Sequence, residues 1–139
     1  MPGIPTGPNA AVRLEQINES IALSRVPIKD YLHNLSLIKQ EAKSHGAQIL
    51  LAPLAQEWDV GIWNVPMPKP TPEHVLPWFP YRDAQKKWAK ENGVDIVSFP
   101  EVFASYNKDP AALFIDNMHP SRIGTQLMAQ ALAEHIMAQ

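Results

Sequence analysis

The hydrophobic pattern between residue 27 and residue 52 predicts a helix followed by a strand. Four residues recur at helical spacing on one face: Tyr31, Leu35, Ile38 and Ala42. Pro27 suits the first turn of this helix, and Gly46 can cap its end. The unbroken apolar run 49–52 lies between Gly46 and Pro53, which is typical of a parallel strand buried on both faces.

A second helix and strand follow with the same alternation. The pattern predicts a helix over 81–92, a strand over 94–99 and a short helical turn at 101–106. A last helix runs from about residue 120 to the C-terminus, with one apolar face: Ile123, Leu127, Ala131 and Ile136. Alternating helices and strands indicate an α/β fold with a short parallel sheet flanked by helices.

The segment 53–80 breaks this pattern, because it holds seven of the 14 prolines and three of the four tryptophans. Proline excludes both a helix interior and a central strand, so we interpret the segment as a long loop. Loops of this length in compact domains are often functional. With an irregular opening segment at 1–10, residues 1–139 are predicted to form a single domain.

Composition narrows the classes of function. The chain has 139 residues, 12 basic and 14 acidic side chains, and no cysteine. It therefore has no disulfide, thiolate metal site or cysteine nucleophile. A net charge of -2 without a basic cluster argues against a nucleic-acid partner, and no apolar run is long enough for a membrane span. We expect a cytoplasmic protein with no cofactor and no metal.

Asp116 and His119 form the strongest chemical signal, three residues apart in a turn that leads into the last helix. In hydrolases, such a carboxylate accepts the Nδ1 proton of the imidazole and leaves Nε2 free to take a proton from a nucleophile. The spacing alone is weak evidence, since about 0.2 such pairs arise by chance in this composition. The alternative is that Asp116 caps the last helix and His119 is a solvated first-turn residue.

The surroundings of this pair resemble the SGNH (GDSL-type) hydrolases, which are serine esterases and lipases with a flavodoxin-like, three-layer α/β/α fold. Their last catalytic block is Asp-x-x-His-Pro, then a serine, and a glycine four residues beyond the proline. Residues 116–124 of this chain, DNMHPSRIG, follow that pattern. The resemblance implies that Asp116 is the orienting acid, that His119 is the general base, and that the substrate is a small carboxylic ester.

The resemblance extends over about residues 7–137, and it implies only the C-terminal portion of such an enzyme. The family's Gly-Asp-Ser nucleophile block and the glycine of its second block have no counterpart in the chain. At the third block, Gly-x-Asn-Asp, the sequence places Asn9 where the oxyanion-binding asparagine belongs, but Ala10 replaces the aspartate. The resemblance therefore implies a truncated or remnant ester hydrolase that keeps the acid and the base without the serine.

Aromatic side chains after the first strand suggest a substrate pocket at its carboxyl end: Trp58, Trp63, Trp78 and Phe79. The alternative is that these rings close a small hydrophobic core. Among the serines, Ser98 ends the second strand and is the one with some prospect of facing the site. A metal site built from His74, His119 and Asp116 has no support in the spacing.

A rival hypothesis is a non-catalytic assembly unit. If the family's first three strands are missing, the strand at 49–52 has an unpaired edge, and such edges bind other strands. The simplest result is a homodimer with two-fold symmetry through 49–52. A third possibility is a split enzyme, in which this half-domain binds a separate segment that carries the Gly-Asp-Ser strands.

Overall fold

The computed structural model describes residues 26–62 and 79–139. These residues are mostly helical, with a short two-stranded parallel sheet, which agrees with the predicted α/β class at this coarse level. They fall into two compact units. Unit 1 contains 26–49 and 79–94 of the described residues, and unit 2 contains 50–62 and 95–139. No helix among the described residues is long and apolar enough to cross a membrane.

The described part of unit 1 contains a pair of helices, α1 (Ile28–Ser44) and α2 (Phe79–Asn92). Helix α1 starts after Pro27, and the chain leaves it through Gly46, whose φ of 69° lies in the left-handed region that glycine tolerates. Both predicted ends are therefore confirmed. Prediction and structure differ at Ile38, which is 55% exposed, because the face that α1 buries is centred on Leu35.

The helices of unit 1 are joined by a buried indole and by polar bonds. Trp88 is buried, and its Nε1–H donates to Ser36 Oγ at 3.0 Å. The Lys39 ammonium donates to the Asn92 carbonyl at 2.7 Å, close to the end of α2. This bond satisfies the N–H of the buried Trp88 indole and ties α2 to α1 at Ser36.

Unit 2 contains the sheet, in which β1 (Leu50–Leu51) and β2 (Asp95–Ile96) run parallel. The pairing continues past both strands, because Val97 N–H donates to the Leu51 carbonyl at 2.8 Å. Both strands are shorter than the predicted 49–52 and 94–99. The second strand ends early because Phe99 already begins the next helix, with a proline in its first turn.

Four further elements complete unit 2. They are a 3-10 helix at Glu57–Val60, α3 (Phe99–Ala104), a second 3-10 helix at Pro110–Leu113 and α4 (Arg122–Met137). Six buried residues form the core: Ala55, Val97, Phe99, Phe103, Leu113 and Phe114. The rings of Phe103 and Phe114 meet edge to face at 5.3 Å, an arrangement that aromatic quadrupoles favour.

Helix α4 approaches this core at Gly124. A Cβ at this position would lie 2.3 Å from the Leu113 carbonyl oxygen and 3.1 Å from both Phe103 Cζ and Pro120 Cβ. No side chain fits at that distance from a backbone atom, so the close approach requires glycine. Leu113 is fully buried and cannot move aside. The packing of α4 therefore gives a structural reason for the glycine of the sequence pattern.

Candidate active site

The loop between Phe114 and Pro120 holds the predicted catalytic pair. Its ends are joined by an antiparallel bridge between Phe114 and Pro120. Inside the bridge, Ile115 N–H donates to the His119 carbonyl at 2.9 Å, and outside it Ser121 N–H donates to the Leu113 carbonyl at 2.8 Å. The loop is thus closed by backbone bonds on the buried Leu113–Phe114 segment, which fixes the position of its tip.

Asp116 uses its two carboxylate oxygens for different purposes. Oδ1 accepts the backbone N–H groups of Met118 at 2.9 Å and of His119 at 2.8 Å. Oδ2 lies 2.7 Å from His119 Nδ1. Oδ1 therefore stabilises the turn, and Oδ2 binds the imidazole of His119, which the turn places beside the carboxylate. The structure thus brings together the two residues on which the sequence prediction rested.

These hydrogen bonds keep Asp116 ionised. The backbone N–H of Met118, the backbone N–H of His119 and then the imidazole of His119 lower the pKa of the Asp116 carboxyl from 3.8 to about 2. Each donor stabilises the charged form, and together the donors outweigh the desolvation that acts to raise the pKa of the Asp116 carboxyl. Near neutral pH an anionic oxygen therefore faces His119 Nδ1.

An anionic acceptor at Nδ1 selects one tautomer of the imidazole. The proton lies on Nδ1, and Nε2 carries the free lone pair that a general base needs. The His119 side chain is 68% exposed and that of Asp116 49% exposed, so Nε2 is open to a substrate or to water. The arrangement can accept a proton from a hydroxyl group and return it to a leaving oxygen.

Ser121, rather than Asp116, caps α4. Its Oγ accepts the Gly124 N–H at 3.2 Å and donates to the Ala112 carbonyl. The alternative interpretation, in which Asp116 is the helix cap, is wrong for this reason. Ser121 also ties the start of α4 to the preceding 3-10 helix, so the helix and the loop with the Asp116–His119 pair are anchored at one point.

A second loop reaches the site from the carboxyl end of β1. Glu57 N–H, at the start of the first 3-10 helix, donates to the Asn117 carbonyl at 3.0 Å. This bond joins two segments that are distant in sequence and links the tip of the Asp116–His119 loop to the segment after β1. No local sequence pattern marks this bond, because it joins the backbones of two loops that meet only in the folded chain. Trp58 follows Glu57 directly and is half-buried.

The structure describes two of the five other predicted site residues, Trp58 and Phe79. Asn9, Trp63 and Trp78 lie outside the described residues, as does His74. Phe79 is the first residue of α2 in unit 1, and the Arg82 guanidinium lies over its ring at 5.9 Å. Of the four predicted aromatic residues, only Trp58 has a described position in unit 2.

No serine hydroxyl in the described part of the chain is bonded to His119. Ser36 donates to the Leu32 carbonyl, Ser44 to the Glu41 carbonyl, and Ser105 to the Val102 carbonyl. Ser98 is buried, and its Oγ has no hydrogen-bond partner among the described residues. A nucleophile needs contact with both the base and the substrate, and these serines lack the first.

Neither metal chemistry nor sequence comparison adds to this description. Within residues 26–62 and 79–139, no three His, Asp or Glu side chains are grouped as a metal site requires. No protein-family model and no curated protein matches the chain. The support for a chemical role of the site therefore lies in the geometry of Asp116 and His119.

Proposed function

We propose that this chain carries the acid–base machinery of an SGNH-type carboxylic ester hydrolase, although residues 1–139 do not include the family's serine block. One observation carries the proposal: the 2.7 Å contact between Asp116 Oδ2 and His119 Nδ1, on a loop closed by backbone bonds. It is supported by the Ser and Gly that follow in the pattern, since Ser121 caps α4 and Gly124 permits its close packing.

The proposed reaction begins with a proton transfer to His119. As a nucleophilic oxygen attacks the ester carbonyl carbon, its proton passes to Nε2, and the carbonyl oxygen takes up the negative charge. The imidazolium that forms is stabilised by the carboxylate of Asp116, which stays ionised throughout. When the tetrahedral intermediate collapses, the bond to the alcohol oxygen breaks and Nε2 returns the proton to that oxygen.

The nucleophile depends on whether the Gly-Asp-Ser strands are supplied. With them, serine forms an acyl-enzyme, which water hydrolyses by a second passage through His119. Without them, His119 activates a water molecule directly and the reaction is slow. The resemblance implies Asn9 as the oxyanion donor. The proposed substrate pocket is lined by four aromatic residues: Trp58, Trp63, Trp78 and Phe79. The proposed substrate is a small ester.

We propose that the sheet belongs to a flavodoxin-like three-layer fold. The parallel pairing of β1 with β2, with helices before and after each strand, is what a fragment of a flavodoxin-like three-layer sheet would contain. The pair of strands is narrower than open α/β sheets usually are. The missing family strands would extend it at β1.

Hydrolysis of p-nitrophenyl acetate tests the proposed role of His119. We expect His119→Ala to lower the protein-dependent rate by about 10²-fold, the lower end of general acid–base contributions, and Asp116→Asn by about tenfold. The matched control is His45→Ala, since His45 is exposed and its Nδ1 lies 3.4 Å from Glu41 Oε1, a histidine–carboxylate pair outside the loop. An unchanged rate in His119→Ala, or an equal loss in the control, would contradict the proposal.

The source of the nucleophile is tested separately by intact mass after exposure to a fluorophosphonate. We expect no adduct, because no described serine contacts His119. An adduct on the wild type that His119→Ala abolishes would identify a serine within the chain, and peptide mapping would name it. Addition of a peptide with the Gly-Asp-Ser strands then tests the split-enzyme hypothesis, which predicts a gain in esterase rate that depends on His119.

A second candidate function is self-association through β1. The Leu51 carbonyl accepts Val97 N–H and the Pro53 carbonyl accepts Phe99 N–H, so both point towards β2. By the alternation of a strand, the Ala52 N–H points to the other edge, where no described strand pairs with β1. Light scattering over a wide concentration range tests this dimer. Ala52→Pro removes one hydrogen-bond donor from the open edge and should abolish the dimer. A monomeric wild type would disprove this hypothesis.

A further inference from the structure

The tip of the Asp116–His119 loop contains one peptide group that is hydrogen-bonded at both of its ends. The Asn117 carbonyl accepts the Glu57 N–H at 3.0 Å. The N–H of the same planar peptide group belongs to Met118 and donates to Asp116 Oδ1 at 2.9 Å. A rigid group therefore connects the start of the first 3-10 helix to the carboxylate that binds His119 Nδ1.

Within the described part of the chain, the bond from Glu57 is the one hydrogen bond that ties residues 116–118 to another element. The base of the loop is closed by the bridge between Phe114 and Pro120. The other bonds of 116–118 stay inside the loop. Because the backbone angles of a three-residue tip can still change when its base is closed, the direction of the Asp116 carboxylate depends on what the tip is bonded to.

The donor of this bond is itself fixed to the core of unit 2. Glu57 is the first residue of its 3-10 helix, and a donor at that position has no acceptor inside the helix. Asp59 Oδ2 accepts the Gln56 N–H at 2.8 Å, and the Asp59 N–H donates to the Gln56 carbonyl at 2.8 Å. Ala55 belongs to the core and Val60 packs against it. The Glu57 N–H is therefore held in a fixed position.

The connection acts on charge as well as on position. A carbonyl that accepts a hydrogen bond polarises its peptide group, and the N–H of that group becomes a stronger donor. Here the N–H is that of Met118, whose bond is the largest cause of the lowered pKa of the Asp116 carboxyl, about 2. The Glu57 N–H thus supports the anion that keeps the proton of His119 on Nδ1.

We propose that Glu57 is a positioning residue for the Asp116–His119 pair, acting through its backbone N–H and the Asn117–Met118 peptide group. The catalytic meaning of this role rests on the proposed function, because the position of Nε2 matters to the reaction only where His119 is the base. The Glu57 side chain takes no part in the role, so any residue with a backbone N–H can serve at this position.

Glu57→Pro and Glu57→Ala are a matched pair of variants for this test. Both remove the side chain, and only proline removes the N–H. Proline suits the first position of a helix, and Gln56 has the extended backbone that a following proline requires, with φ -132° and ψ 161°. The proline ring also takes the place of the hydrogen, so the Asn117 carbonyl has to move away. Asp59→Ala is a second variant, which loosens the start of the 3-10 helix and adds no atom at the contact.

The tautomer of His119 is the main measurement, because a loss of global stability does not change it in molecules that remain folded. NMR of the labelled imidazole nitrogens, at a pH where the ring is neutral, distinguishes a proton on Nδ1 from one on Nε2. We expect Nδ1–H in the wild type and in Glu57→Ala, and a shift towards Nε2–H in Glu57→Pro and in Asp59→Ala. His45, whose Nδ1 lies 3.4 Å from Glu41 Oε1, is the internal reference and should not change.

The rate of p-nitrophenyl acetate hydrolysis separates this role from the proposed function. We expect the His119-dependent rate to fall by about threefold in Glu57→Pro, half on a logarithmic scale of the loss expected for Asp116→Asn, because the carboxylate is displaced rather than removed. A rate that does not depend on His119 would overturn the proposed function, and the tautomer would still decide whether Glu57 positions the imidazole.

Two results of the NMR comparison would overturn the role of Glu57. One is an unchanged His119 tautomer in Glu57→Pro, and the other is an equal shift in Glu57→Ala. If Glu57→Pro does not fold, Asp59→Ala decides by the same measurement: a wild-type tautomer in that variant overturns the proposal.

Discussion

Gly124→Ala is the most direct test of how the fold supports the site. The new Cβ would be built 2.3 Å from the carbonyl oxygen of Leu113, so α4 must move outward by roughly 1 Å to restore a normal contact. Overpacking of this kind against an immobile backbone costs about 3 kcal/mol, the upper end of the usual range. Alanine recovers about 1 kcal/mol through its higher helix propensity. The net loss of unfolding free energy is about 2 kcal/mol.

Urea denaturation followed by circular dichroism measures this loss. With a slope of about 2 kcal/mol per molar, the unfolding midpoint of Gly124→Ala should fall by about 1 M urea. Ala129→Gly, at an exposed position of the same helix, isolates the propensity term and should cost about 1 kcal/mol. If Gly124→Ala matches or exceeds the wild type while Ala129→Gly loses its expected amount, the close approach of α4 to Leu113 is not what requires glycine.

Three further predictions concern single bonds. The pKa of the Asp116 carboxyl is about 2 in the folded chain, against an ordinary value of 3.8. Its charge therefore stabilises the fold above about pH 4, and this contribution is lost as the pH falls through about 2. The urea midpoint of Asp116→Asn should consequently fall less on acidification than that of the wild type. Ser121→Ala removes the cap of α4 and should cost about 1 kcal/mol in urea unfolding, whereas Ser105→Ala should cost little. Trp88→Phe keeps an aromatic ring but leaves Ser36 without its donor; we expect a loss of about 1 kcal/mol that disappears when Ser36 is already alanine.

Sequence patterns located the helices well because helix ends are set by local chemistry. Pro27 and Gly46 bracket α1 through their own backbone preferences, which act whatever surrounds them. The width of the buried face depends instead on the neighbouring helix. Ile38 belongs to the apolar pattern of α1, yet it is exposed, whereas Leu35 is the residue that this helix buries.

In the strands and the site, too, local features were predictable from the sequence and tertiary contacts were not. Apolar runs marked both strands, but strand length depends on pairing, and the chain turns into α3 at Phe99 after two paired residues. The contact between Asp116 and His119 was predictable because it spans three residues of one turn. The bond from Glu57 to Asn117 was not, since it depends on how two loops meet in the folded chain.

The double use of the Asp116 carboxylate has an evolutionary consequence. Through Oδ1 it organises the backbone of the turn, and through Oδ2 it holds the imidazole, whereas His119 serves the turn with backbone atoms that any residue except proline supplies. Selection for folding alone would therefore retain the aspartate but tolerate substitution of the histidine. In a lineage that has abandoned catalysis, position 119 should drift first, while position 116 persists as a relic of the chemistry it once served.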